Sequence, residues 1–177
     1  MIRPTPHHTT GPFFPAQFIT AGENQLQPEG GAFFAEPLVL EGRVLDGQAR
    51  PAVNVIIELW LPDGHWCRTW TDVEGRYCFH GFKPKPTPSA VDPAWVRPPF
   101  FRVLLLGSGI MRPLSTEVFF PGEPLNQHDR QLIAVDPARR DRLIAVAAGD
   151  AAGTSDARLY RFDIVLQGRD ETPFFED

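Results

Sequence analysis

Nineteen prolines and fifteen glycines interrupt this chain. They recur about every eight to twelve residues, the rhythm of short strands joined by tight turns. That spacing leaves no room for long helices, because an interior proline removes a helical hydrogen bond and clashes with the preceding turn. Between the breaks, apolar residues alternate. Over 159–166, Leu159, Arg161, Asp163 and Val165 fall on one side, and Tyr160, Phe162, Ile164 and Leu166 on the other. A period of two with one apolar face is what a half-buried strand requires. With 177 residues, 42% of them hydrophobic, the chain can bury one good core and is too short for two ordinary domains. The expected fold is all-β: an antiparallel β-sandwich with an extended N-terminal arm and one short helix.

Residues 1–36 form the expected arm, rich in Pro, Thr, Gly and Phe, with a polar stretch from Glu23 to Gly31 read as a mobile loop. Strands are expected at 38–45, 53–60, 100–106, 116–120, 143–148 and 159–166. Residues 65–70 and 76–82 read as a hairpin closed by Thr71 to Gly75. Pro84 to Pro99 is too long for a plain connector and reads as a functional or covering loop. The short helix is expected at 136–140, with Asp136 as N-cap and Pro137 at the first helical position.

The formal net charge of −5 and the lack of any basic stripe exclude nucleic acid as a partner. No run approaches the length of a membrane span, and the N-terminus carries no apolar run of the secretory kind. Two cysteines do not make a disulfide framework, so the expected setting is the cytoplasm. They do form a constellation with two histidines. If residues 65 and 80 face each other in a hairpin, His65, Cys67, Cys78 and His80 share one face and could hold zinc. The spacing is unlike a zinc finger, and buried cysteines with ordinary histidines are the preferred reading.

A series of short words runs through the chain in a fixed order. They are Thr9-Thr10-Gly11-Pro12-Phe13, Gly42-Arg43-Val44, Glu58-Leu59-Trp60, Thr71-Asp72, Lys83-Pro84, Phe119-Phe120-Pro121, Arg139-Arg140 and Glu171-Thr172-Pro173-Phe174-Phe175. In this order they resemble the intradiol ring-cleavage dioxygenases, most of all the alpha-type subunits of the protocatechuate 3,4-dioxygenases. The resemblance implies an intradiol-dioxygenase-like sandwich over 37–177. It also implies Fe(III) held by two tyrosines and two histidines in the metal-bearing, beta-type members.

Carried over position by position, those four ligands fall on Trp66, Thr87, Phe100 and Arg102. Ferric iron needs anionic oxygen and imidazole donors. Indole and phenyl rings offer it no lone pair, and guanidinium is itself a cation. No metal ligand and no catalytic residue is therefore expected in this chain. The resemblance further implies an iron-bearing beta subunit as partner, a catecholic substrate shared with it, and a place for Thr9, Gly11 and Pro12 in the substrate cavity. A ligand-facing arginine of similar subunits is replaced by Ser108, with Arg112 nearby as a substitute. Arg102 is expected to fill the vestigial pocket and pair with a carboxylate such as Glu58. The alternative reading of the whole chain is a non-catalytic ligand-binding or assembly module built on the same sandwich.

Overall fold

The computed structural model describes residues 22–26, 34–151 and 156–176. Among the described residues eleven strands run in chain order: β1 Phe34–Leu45, β2 Ile56–Trp60, β3 Trp66–Trp70, β4 Arg76–Pro84, β5 Thr87–Pro88, β6 Val96–Arg97, β7 Phe100–Leu106, β8 Leu114–Phe119, β9 Val146–Asp150, β10 Arg158–Arg161 and β11 Ile164–Val165. One sheet centres on β1, with β4 on one side, β10 and β11 on the other, and β9 outside β10. The second sheet has the order β3-β2-β7-β8. Leu40, Phe79 and Tyr160 of the first sheet meet Ile57, Phe101 and Leu105 of the second in one buried cluster. That is the core of a sandwich.

The sheets are mainly antiparallel, with one departure from expectation. β1 runs parallel to both β10 and β11. The expected strand at 159–166 is split, because β1 and its neighbour pinch together at Gly42. A side chain there would overlap the Phe162 carbonyl, which instead accepts a bond from the buried Tyr77 hydroxyl. Phe162 N donates to Glu41 O, and Arg43 N turns to Asp163 Oδ1, so the ladder breaks and resumes.

Three further expectations are corrected. β3 and β4 do not form a hairpin, since β3 pairs with β2 and β4 with β1. The chain changes sheets at a corner built by Thr71 and Asp72. The Thr71 hydroxyl donates to Ala52 O and accepts from Val55 N, while Asp72 Oδ1 accepts from Glu74 N and Arg76 N.

The α-helix is also displaced. It is α1, Arg130–Ala134, capped by Asp129. Asp136 instead makes a turn onto Ala138 N, and a 3-10 helix follows at Arg140–Leu143. α1 and that 3-10 helix cover the outer face of the second sheet at one end, burying Phe100, Phe119, Leu132 and Leu143.

Residues 22–26 lie against the strand edges, contrary to the mobile loop expected from 23 onward. Leu26 N donates to His80 O, His80 N to Asn24 O, and Arg68 N to Glu23 O. Leu26 is buried. The polar composition hid these backbone bonds, which any residue type can make.

Candidate functional site

The outer face of the second sheet presents side chains in rows set by the register. Trp66, Trp60, Arg102 and Glu117 lie opposite one another on β3, β2, β7 and β8. The next row carries Arg68, Glu58 and Leu104. Trp60 and Trp66 stack with centroids 5.4 Å apart, and the Arg68 guanidinium lies 4.8 Å from the Trp66 ring.

The expected Arg102–Glu58 pair is not formed. Glu58 Oε1 accepts from Arg68 Nε at 3.0 Å and Nη2 at 2.6 Å, and Oε2 accepts from Trp60 Nε1 at 3.0 Å. The reason is register: Arg68 stands directly opposite Glu58, whereas Arg102 is one row away. Arg102 is exposed, and its Nε donates to Ser115 Oγ at 3.2 Å.

The loop 85–99 folds back on itself, with Thr87 paired to Arg97, and walls off a cleft of about 610 Å³ above this face. Trp60, Thr87, Pro88, Phe100, Arg102 and Glu117 are among its lining residues. Three of the four positions implied as ligands, Thr87, Phe100 and Arg102, are thus brought together. Trp66 stands beside the cleft, stacked on Trp60, with 43% of its surface exposed. A threonine hydroxyl, a phenyl ring, an indole and a guanidinium do not fit ferric ion, for want of anionic or imidazole donors.

The charged centre of the cleft is one that the sequence reading passed over. Arg97 reaches Glu117 with Nη1 to Oε1 at 2.9 Å and Nη2 to Oε2 at 2.7 Å. It reaches Asp129 with Nε to Oδ2 at 2.9 Å and Nη2 to Oδ1 at 3.2 Å. Its guanidinium carbon lies 3.8 Å from the Phe100 ring centre. Burial opposes the Arg97 charge, but the bonds from Glu117 and Asp129 outweigh it and raise its pKa. A signal was present: Glu117 directly precedes the apolar run Val118-Phe119-Phe120, and a carboxylate buried with it must find a cation.

The other named positions fall elsewhere. Thr9, Gly11 and Pro12 lie outside the described residues. Ser108 and Arg112 are exposed on the turn after β7 and do not line the cleft. The four-donor constellation does not assemble. Cys67 points into the core, and burial pushes its thiol up to about 12. Cys78 lies on the opposite face of the other sheet, its Sγ 3.6 Å from His80 Nε2. His65 Nδ1 instead lies 3.1 Å from Asp63. A second hollow, of about 650 Å³ against β1 and β4, is edged by Arg43 and Arg161, paired with Asp163 and Glu41.

No family model matches the chain. It is 34% identical over 165 aligned residues to the protocatechuate 3,4-dioxygenase beta chain of Burkholderia cepacia, covering 82% of this chain and 70% of that one. To the alpha chain of the same enzyme from that organism it is 28% identical over 199 aligned residues, covering 99% of this chain and 98% of that one. Among solved structures, the dioxygenase domain of a dioxygenase and carbohydrate-binding fusion from Streptomyces sp. SirexAA-E superposes with a TM-score of 0.61. That match has 21% identity and covers 94% of this chain and 99% of that one. The sandwich is therefore that of the intradiol dioxygenases. The chain belongs to the protocatechuate 3,4-dioxygenase family.

Proposed function

We propose that this chain is the alpha-type subunit of a protocatechuate 3,4-dioxygenase, and that it holds no iron of its own. It shapes the cleft in which the Fe(III) of a beta-type partner opens protocatechuate between its adjacent hydroxyls, with oxygen, to 3-carboxy-cis,cis-muconate. The observation that carries this reading is the set of side chains at the four implied ligand positions: Trp66, Thr87, Phe100 and Arg102. Near full-length alignment with an alpha chain supports it. The N-terminal arm, with Thr9, Gly11 and Pro12, lines the partner's substrate cavity. A Gly-Pro step suits that role, since glycine lets backbone approach a ligand closely and proline holds the chain extended.

The complex works in the cytoplasm on a catecholic small molecule, without nucleic acid or membrane. No helix among the described residues is long and apolar enough to cross a membrane. With Ser108 in place of a ligand-facing arginine, either Arg112 or a partner cation holds the substrate carboxylate, or the catecholic substrate carries none. Co-expression with a beta chain tests the reading. The complex is expected to be red-brown and active, and to lose activity when residues 1–14 are deleted. A complex that is inactive with every beta-type chain, while this chain still binds catechols, would favour a ligand-binding module instead.

A further inference from the structure

The ligand positions implied by the family lie on both the loop and the sheet. Thr87 is on β5, within the loop, whereas Trp66, Phe100 and Arg102 are on strands of the second sheet. A bound ion would therefore tie the two together, and the side chains present cannot make that tie. We propose that Arg97 makes it instead. It acts as an organic cross-link that fastens the loop 85–99 over the second sheet, so the cleft keeps its shape without any metal ion.

Arg97 ends the return strand of the loop and is paired with Thr87, so any movement of one carries the other. Its planar fork joins three elements. Two bonds go to Glu117 on β8 and two to Asp129. Asp129 Oδ1 also caps α1 by accepting from Leu132 N. A guanidinium matches this task because its donors are fixed in one plane and keep their charge at any ordinary pH. The side chains of Arg97, Glu117 and Asp129 are 11%, 8% and 0% exposed, so water competes little for the bonds. Arg130 with Asp92 is another ion pair between loop and body, at 3.0 Å and 65% and 38% exposed. Pairs so exposed hold weakly. The inference goes beyond the proposed function, since it concerns what holds this cleft in any role.

Hydrogen exchange of the full-length chain, read by mass spectrometry, tests it. Ser89 N and Trp95 N report on the loop, since they donate within it to Trp95 O and Asp92 O. Two variants are compared with the parent. Arg97→Lys keeps the charge and loses the fork, and Glu117→Gln leaves Arg97 paired with Asp129. In both, loop amides are expected to exchange about tenfold faster or more, while β2 and β7 stay within about twofold of the parent. Neither EDTA nor ferric citrate should change loop exchange in the parent. Unchanged loop exchange in both variants would overturn the proposal, as would loop protection that depends on ferric ion. Equal acceleration throughout both sheets would also overturn it, by showing that the cluster holds the whole fold.

Discussion

At Gly42 an added methyl group would overlap the Phe162 carbonyl and lie 3.0 Å from the Tyr77 hydroxyl. Gly42→Ala is therefore expected to cost roughly 3 kcal/mol or more, because it both overpacks the site and displaces a buried hydrogen bond. Tyr77→Phe removes only the bond to Phe162 O and should cost about 1–3 kcal/mol. Urea unfolding of the two variants separates these costs. Cys67 gives a pH dependence with a definite sign. Its thiol is pushed up to about 12 by burial from an ordinary value of 9.0. Above about pH 9 the unfolded chain releases a proton that the folded chain keeps, so stability falls as pH rises. The slope from this group is at most about 1.4 kcal/mol per pH unit. Below pH 9 its contribution is fully present. Cys67→Ala should flatten the alkaline limb of the stability profile, measured between pH 8 and 11, relative to the parent.

Among the elements, α1 is only five residues long and depends on what meets its ends. Arg140 donates to Val135 O at 2.8 Å and to Ile133 O at 2.6 Å, placing a cation on the last carbonyls. Arg140→Ala is expected to cost about 1–2 kcal/mol and to accelerate exchange in 130–135 before the sheets are affected. The neighbouring arginines secure the tail. Arg139 Nη2 lies 3.1 Å from Glu171 Oε1, and Arg142 Nη1 is 2.9 Å from Arg169 O. The Arg139-Arg140 and Glu171 to Phe175 segments are thus two halves of one structure, closed where Phe175 N meets Ser115 O.

Most strands were readable from apolar runs or alternation, since the run Phe100–Leu106 forms a strand and the alternating face Tyr160, Phe162 and Ile164 is buried. Strand partners were less readable. Nothing in 65–82 says that the chain changes sheets, because that depends on Thr71 finding Ala52 across the corner. The helix was misplaced because Asp129 and Asp136 are equally good caps in sequence. Only Asp129 also meets Arg97. Three positions singled out in the sequence, Thr87, Phe100 and Arg102, do line one cleft, but a fork joining residues 97, 117 and 129 is not a sequence pattern.

At the scale of the molecule, one sandwich carries two separate jobs. Its core joins the two sheets, and the outer face of the second sheet carries the cleft under the proline-rich loop. In this cleft the side chains of Thr87, Phe100 and Arg102 offer ferric ion no anionic or imidazole donor, and the carboxylate of Glu117 is taken up by Arg97. The iron content of the chain purified alone, set against its co-expressed complex with a beta chain, tests this most directly. The expected result is a colourless chain with far less than one iron per molecule, and a coloured complex with about one per alpha-beta pair. A chain that by itself carries one ferric ion and cleaves a catechol would contradict the account.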